Sequence, residues 1–93
     1  MELVTTTKNF LENLSYLESI AIQAIVNALE GETDKVIVTS SIANDNKITK
    51  TTCVSALRLL SCAGIVHTKS LGMKGQRIKV INPEALQIIV SGL

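Results

Sequence analysis

Residues 49–64, TKTTCVSALRLLSCAG, decide the fold class, because they predict one helix with a cap, a stop and two different faces. Thr49 is a good N-cap, since its hydroxyl can accept a hydrogen bond from a backbone N–H of the first turn. The helix then runs from about Lys50 to Ala63, and Gly64 stops it. The side expected to face the core carries apolar residues at helical spacing: Val54, Leu57, Leu60 and Ala63.

The other side of this helix is polar and cationic. Lys50, Thr51, Ser55 and Arg58 follow one another at helical spacing, and Thr52 lies at the edge of that side. A helix that enters the DNA major groove needs small polar and cationic residues at its N-terminal end, where unpaired N–H groups also favour phosphate. Arg58, further along, can bind a guanine edge with two hydrogen bonds or contact a phosphate.

A β-hairpin follows the helix. Residues 65–70 and 77–81 predict two antiparallel strands around the tip LGMKGQ, whose two glycines allow a sharp turn. Ile78 and Val80 alternate with cations, so one side of the hairpin is expected to face the core and the other to be exposed. The hairpin thus carries the polar and cationic residues expected along a DNA backbone: Lys69, Ser70, Lys74, Arg77 and Lys79.

The segment before the helix predicts a short helix and a tight turn. Val36-Ile37-Val38 is short and β-branched, which favours a brief strand or an extended connector. Thr39 or Ser40 can cap a short helix that continues through Ala43, and residues 44–47 close it with a turn.

The two ends of the chain also predict helices. Ser15 and Glu18 fit a capping box at the start of an amphipathic helix that ends before Gly31. Residues 4–13 predict a weaker helix, since three consecutive threonines disfavour it. Asn82 is a good N-cap for a final apolar helix, which packs on the domain or on a partner.

In chain order the elements are helix, short strand, short helix, tight turn, helix and hairpin. This is the order of a winged helix-turn-helix. We therefore predict a mainly α fold with a small β-hairpin wing. Residues 1–14 form an N-terminal helical lead-in, and residues 15–93 form the DNA-binding domain.

Composition agrees with one small domain that has an aliphatic core. The 93 residues are 46% hydrophobic and include one Phe, one Tyr and no Trp. The chain has no apolar run of about 20 residues and no signal-peptide pattern, so we expect a cytoplasmic location and no membrane partner. Cys53 and Cys62 fall on opposite faces of one helix, about 13 Å apart along its axis, and cannot bridge each other.

The near-neutral total charge hides a segregation. Residues 1–34 carry a net charge of −5 and residues 35–82 a net charge of +7. Such segregation indicates an anionic partner for the basic part or a solvated cationic face, and charge by itself does not separate the two.

Three classes of function can be weighed from these residues. DNA binding is favoured because the polar helix face and the hairpin both fall within the basic segment. The alternative is a winged helix used for protein association, without DNA specificity. An enzyme is not expected, since His67 is the single histidine and no phosphate loop or metal cluster is visible. We expect no metal and no cofactor in this chain.

Residues 48–80 also resemble the C-terminal DNA-binding domain of the CodY family of bacterial transcriptional repressors. In the helix the shared residues are Ile48-Thr49, Ala56-Leu57-Arg58, Leu60 and Ala63-Gly64. In the hairpin they are Ser70-Leu71-Gly72-Met73-Lys74-Gly75 and Ile78-Lys79-Val80. Leu14-Ser15-Tyr16, Glu18, Ser40 and Ala43 fit as well, so the resemblance covers about residues 14–82.

The resemblance implies a winged helix that binds an AT-rich, pseudo-palindromic operator on double-stranded DNA as a homodimer. It also implies a response to branched-chain amino acids and GTP through an N-terminal sensor domain. That sensor domain is not expected within these residues, so we expect the chain to be either a fragment of such a repressor or a stand-alone relative that cannot bind those ligands itself.

Three departures from the family pattern affect what is expected. Lys50-Thr51 stand where the family has Arg-Ser, and a lysine cannot reproduce the two-pronged hydrogen bonding of arginine, so base preference is expected to differ. Lys47 stands where the family has Gly, which leaves Asn46 as the expected left-handed residue. Gln76-Arg77 replaces a less basic pair and is expected to add charge to the wing.

Overall fold

Four helices and three strands follow one another in the computed structural model of the chain, which describes residues 14–93 and, before them, Glu12. The helices are α1 (Tyr16–Leu29), α2 (Thr39–Asp45), α3 (Lys50–Cys62) and α4 (Pro83–Gly92), and the strands are β1 (Asp34–Ile37), β2 (Val66–Ser70) and β3 (Gln76–Val80). A 3₁₀ turn, Gly72–Lys74, lies between β2 and β3. The helix predicted over residues 4–13 lies outside the described residues, apart from Glu12, and the division of the chain at residue 14 stays a prediction.

Helix α1 begins with the capping box that the sequence predicts. Ser15 Oγ accepts the Glu18 backbone N–H at 3.1 Å, and Glu18 Oε1 accepts the Ser15 N–H at 3.2 Å. After Leu29 the chain reverses through Glu30 and Gly31, whose φ angles are +52° and +80°. The buried side of this helix lies at the centre of the core: Ala21, Ile22, Ala24, Ile25 and Leu29.

Helix α2 begins without a side-chain cap. Its N-cap is Val38, and no side-chain hydrogen bond closes the first turn. The prediction that Thr39 or Ser40 caps this helix is therefore wrong. The reason is that β1 leads into the helix almost directly, so that Thr39 already belongs to the first turn and is buried, with 5% of its surface exposed.

The turn between α2 and α3 is left-handed at Lys47, not at Asn46. Lys47 has a φ of +56°, whereas the φ of Asn46 is −106°. Asn46 instead extends the end of α2, because its Nδ2 donates to the Ile42 carbonyl at 2.8 Å. The Ile48 N–H then donates to the Ala43 carbonyl at 3.0 Å, which is the closing bond of a Schellman motif. The prediction for Asn46 was wrong by one residue.

Helix α3 faces the core with a different set of residues from the one predicted. The buried residues are Cys53, Ala56, Leu57 and Leu60. Leu57 and Leu60 were predicted, but Val54 is half-buried and Ala63 is exposed. Val54 lies beside Thr68 of β2 in a shallow depression, and Ala63 is the C-cap after the last helical turn. Cys53 is buried and Cys62 exposed, in agreement with their predicted placement on opposite faces.

The hairpin strands belong to a three-stranded antiparallel sheet with the order β1-β3-β2. The segment predicted as a strand or connector is thus the edge strand β1, shifted to residues 34–37 and paired with β3. Alternation separates two faces. The inner face packs on the helices and includes Ile37, Val66, Ile78 and Val80, all buried. The outer face carries Asp34, Val36, His67, Lys69, Arg77 and Lys79, all exposed.

The wing tip turns through its two glycines. Gly72 and Gly75 have φ angles of +66° and +106°, and the Leu71 N–H donates to the Gly75 carbonyl at 2.9 Å. The glycines differ in their surroundings: a Cβ at Gly72 would point into open space, whereas a Cβ at Gly75 would collide with the Ile37 carbonyl of β1. Gly75 therefore permits the close contact between the tip and β1.

Helix α4 covers the remaining side of the core. The Asn82 side chain accepts the Ala85 N–H at 3.1 Å, as predicted, and the helix runs from Pro83 to Gly92. Ala85, Leu86 and Ile89 are buried. None of the helices in the described part of the chain is long and apolar enough to cross a membrane. The architecture is the predicted one, a mainly α winged helix-turn-helix with a small sheet.

Candidate nucleic-acid interface

The N-terminal turn of α3 is fixed by two threonines. Thr49 Oγ1 accepts the Thr52 backbone N–H at 3.1 Å, and the two hydroxyl oxygens lie 2.8 Å apart. This cap leaves Lys50 and Thr51 exposed at the start of the helix. Among the predicted site residues, Thr49 and Thr52 therefore hold the helix terminus in place, and Lys50 and Thr51 present side chains to solvent.

Arg58 lies on the same exposed side, further along α3. Thr51 and Arg58 are seven residues apart, which places them within about 20° of each other around the helix axis and about 10 Å apart along it. Arg58 is exposed and borders a depression that also contains Thr68 and Gln76 of the sheet. The exposed side of α3 thus continues onto the inner face of the wing.

A groove lies between the helix-turn-helix and the wing. It is lined by Val38, Thr39, Ser40, Lys50, Ser70, Gly72, Met73, Gly75 and Gln76, and we call it the helix–wing groove. It brings Lys50 of α3 and Ser70 of β2, two of the predicted site residues, onto one surface. Gln76 borders both this groove and the depression beside Arg58. Gln76 was not among the predicted site residues. Its position two residues before Ile78 could have indicated that its side chain lies on the inner face of the wing.

The wing tip projects Met73 and Lys74 into solvent. Both are exposed, and Met73 is fully accessible. The tip therefore combines a cation with an unburied apolar side chain at the mouth of the helix–wing groove. Lys74 is placed as the sequence predicts for the wing tip.

Ser55 contacts α1, which the sequence did not indicate. Its hydroxyl donates to Glu18 Oε2 at 2.9 Å, and the pair is partly buried. Together with the capping box, this hydrogen bond lowers the pKa of Glu18 below its ordinary value. The contact joins the start of α1 to α3, and it directs the Ser55 proton toward the protein.

Lys69, Arg77 and Lys79 lie on the outer face of the sheet, opposite to the helix–wing groove. In the ladder Lys69 is paired with Arg77, and His67 with Lys79. Their exposure on the side opposite Ile78 and Val80 is as predicted, but the sequence also predicted them along one DNA backbone together with Ser70 and Lys74. The structure instead separates these three from Lys50, Arg58 and Ser70, because odd-numbered residues of β2 and β3 point to the outer face.

Arg77 is held by a carboxylate of β1. Its Nε donates to Asp34 Oδ1 at 2.9 Å and its Nη2 to Asp34 Oδ2 at 2.7 Å. This pairing lowers the pKa of Asp34, and the charge of Lys79 lowers it further. The expectation that Arg77 adds charge to the wing needs correction, because Asp34 offsets that charge. The sequence could not predict the contact between Asp34 and Arg77, because it depends on the pairing of β1 with β3.

His67 is exposed on the outer face, as expected for a residue of an edge strand. Within the described residues, no group of three or more histidine, cysteine, aspartate or glutamate side chains is placed to hold a metal ion. Cys53 is buried against the core, and burial raises the pKa of its thiol. The helix–wing groove thus presents the hydroxyls of Ser40 and Ser70, the amide of Gln76 and the cation of Lys50.

Comparison with known proteins identifies relatives of this chain. Residues 29–90 match the family model described as the CodY helix-turn-helix domain. A protein of Bacillus mycoides named "Global transcriptional regulator CodY" is 46% identical over 77 residues, which cover 83% of this chain and 29% of the relative. Proteins with the same name from Geobacillus sp. and Clostridium botulinum are 46% and 42% identical over 76 and 74 residues. These stretches cover 82% and 80% of this chain but 29% and 28% of the relatives. The chain thus spans less than a third of their length.

Proposed function

The chain belongs to the CodY helix-turn-helix domain family, and from that membership we propose that it binds double-stranded DNA as part of a bacterial transcriptional repressor. The observation that carries the proposal is the helix–wing groove. It sets Lys50 at the capped start of α3 on one surface with Ser70 and Gln76 of the wing. A duplex needs such a surface, with a helix terminus for the major groove and polar groups beside it for the backbone.

In this proposal α3 is the recognition helix. Lys50 and Thr51 lead it into the major groove, and Arg58 follows on the same side with its guanidinium exposed. Arginine can bind the O6 and N7 acceptors of guanine with two hydrogen bonds, whereas lysine provides one compact charge. We therefore assign base selection chiefly to Arg58 and a more tolerant contact to Lys50.

The wing tip supplies contacts to the DNA backbone. Lys74 and Ser70 offer a cation and a hydroxyl, which are typical phosphate ligands. Such contacts fix the orientation of the domain on the duplex and carry no sequence information directly. Thr49 and Thr52 support the interface by holding the start of α3, and Ser55 supports it through Glu18.

We further propose that two copies of the domain bind one AT-rich, pseudo-palindromic operator. A two-fold DNA site is matched by a two-fold protein, with one domain on each half-site. In the proposed repressor, binding of branched-chain amino acids and GTP belongs to a sensor domain and not to this one.

The test is duplex binding followed by fluorescence anisotropy over a range of salt concentrations. The duplexes are those selected by the domain from a random pool, with an unselected duplex as control. About five phosphate contacts per protomer give a slope of log affinity against log salt near −4.5. We expect the selected duplexes to bind more tightly than the control and both to show this steep salt dependence.

The alternative predicted from the sequence, a module for protein association, gives a different result. Flat salt dependence, or no binding to any duplex, would contradict DNA binding and favour that alternative. Sedimentation of the complex separately tests the two-fold arrangement, since one protomer on a selected palindromic duplex would contradict the homodimer.

A further inference from the structure

The outer face of the sheet is a cationic surface with a single carboxylate. Its two cross-strand rows are Val36–Arg77–Lys69 and Asp34–Lys79–His67. Lys69 lies directly opposite Arg77, and like charges in this position destabilise a sheet. Asp34 is the acidic member of these rows, diagonal to Arg77 and directly opposite Lys79.

Asp34 occupies one complete side of the Arg77 guanidinium. Two nearly parallel hydrogen bonds, at 2.9 and 2.7 Å, join both carboxylate oxygens to Nε and Nη2. The same two-pronged geometry is the one in which arginine binds a phosphate. A phosphate that approaches this side of Arg77 must displace Asp34.

The pair is exposed on the surface, with 56% of the Arg77 side chain and 38% of the Asp34 side chain accessible. Ion pairs at such exposure contribute little to the stability of the fold, because water screens them. Their effect on a charged partner is larger, because a phosphate backbone responds to each cation that it meets. In the described part of the chain, Lys69 and Lys79 form no salt bridge, so Arg77 is the cation of this face that Asp34 binds directly.

We propose that Asp34 limits the affinity of this domain for DNA of any sequence by holding the Arg77 guanidinium away from phosphate. The inference rests on the proposed DNA binding. The outer face lies opposite to the helix–wing groove, so the restraint acts on backbone attraction and leaves base selection unchanged. A weaker attraction to random sequence matters because every genome presents a large excess of competing sites.

The experiment compares Asp34→Asn, Arg77→Gln and the double variant by anisotropy on a selected and on a random duplex. Asn keeps the size of Asp34 and removes its charge. One additional phosphate contact tightens binding about three- to eightfold near 0.1 M salt and makes the salt slope steeper by about 0.9. We expect Asp34→Asn to produce this gain on both duplexes, with their ratio unchanged.

Glu32→Gln is the matched control, since Glu32 is an exposed carboxylate two residues before Asp34 that lies 3.9 Å from the Lys35 ammonium and is not bound to Arg77. In that variant Lys35 keeps its contacts with Glu30 and the Ala28 carbonyl, so no cation is released. The control reports the gain due to net charge in general. In the Arg77→Gln background we expect the effect of Asp34→Asn to fall to the level of this control. Thermal unfolding of all variants verifies that each is folded.

Two outcomes would overturn the proposal. Unchanged or weaker binding by Asp34→Asn would mean that Asp34 orients Arg77 for DNA or has no effect on it. A gain that persists in full when Arg77 is Gln would mean that Asp34 acts through its charge and not through Arg77. Failure of the proposed function looks different, because the unmodified domain would then bind no duplex at any salt concentration.

Discussion

The two faces of the three-stranded sheet differ in charge and in neighbours. The inner face is apolar where it meets the core, and near the tip it ends in Ser70 and Gln76, which line the helix–wing groove. The outer face carries Lys69, Arg77 and Lys79, all exposed. The two-residue period of a strand thus divides uncharged polar groups from cations within one hairpin. A wing can thus present uncharged polar groups for local contacts on one side and cations for general phosphate attraction on the other.

The largest expected effect comes from the glycine that joins the tip to β1. We expect Gly75→Ala to lower the free energy of unfolding by about 3 kcal/mol, since the new Cβ meets the Ile37 carbonyl and the φ of +106° is strained for alanine. Gly72→Ala is the matched control, with a positive φ but open space around its Cβ, and should cost about 1 kcal/mol. Urea unfolding measures both. Equal losses would show that the tip and β1 are not in close contact.

The next effect separates the outer face of the sheet from the side of the molecule that holds the helix–wing groove and Arg58 of α3. The two sides are expected to differ in their influence on DNA binding. We expect Arg58→Ala to lower the preference for a selected duplex over a random one by about 1–3 kcal/mol, because a two-pronged contact to a base is lost. Lys50→Ala should lower the same preference by less. Anisotropy on the two duplexes at one salt concentration measures the ratio.

Lys79→Ala, on the outer face, is the counterpart in this comparison. It should weaken binding to both duplexes equally and reduce the steepness of the salt slope by about 0.9, the value for one phosphate contact. The division between the faces fails if Lys79→Ala changes the preference between duplexes, or if Arg58→Ala weakens both duplexes to the same extent.

Much of this fold could be predicted because its signals are local. The caps at Ser15, Thr49 and Asn82 each involve residues three positions apart, and the structure confirms all three. Local signals also predicted the positions of α3 and the hairpin within a residue or two. The prediction of a left-handed Asn46 failed because the Asn46 side chain donates a hydrogen bond to the Ile42 carbonyl. The positive φ angle falls on Lys47 instead.

The parts that could not be predicted depend on residues far apart in the chain. Glu18 and Ser55 are separated by 37 positions, and Asp34 and Arg77 by 43. Neither contact follows from a helix or strand pattern, because each requires knowing which elements pack together. For the same reason the sequence does not decide whether the segment around Ile37 is a strand or a connector. It also does not show that the wing cations lie on a different surface from Lys50 and Arg58.

The smallest expected effect concerns the two carboxylates that belong to these long-range contacts. Glu18 lies in the first turn of α1, is half-buried and is bound by Ser15 and Ser55, and these bonds lower its pKa from the ordinary value of 4.5. A lowered pKa in the folded state means that the ionised group stabilises the protein above its unfolded pKa and loses that effect as pH falls through the folded value. We expect Glu18→Gln to lower the free energy of unfolding at neutral pH by about 0.5–1 kcal/mol, since glutamine retains the capping box but not the charge.

The pH dependence distinguishes this carboxylate from Asp34. As pH falls from 7 through the lowered pKa of Glu18, the difference between the unmodified domain and Glu18→Gln should shrink toward zero, because protonation leaves both side chains neutral. Asp34→Asn should change stability much less at neutral pH, since water screens its exposed ion pair on the outer face. Urea unfolding across this pH range measures both variants. A larger loss for Asp34→Asn than for Glu18→Gln would reverse the comparison and make the outer-face pair a structural element of the sheet, with its role in DNA attraction secondary.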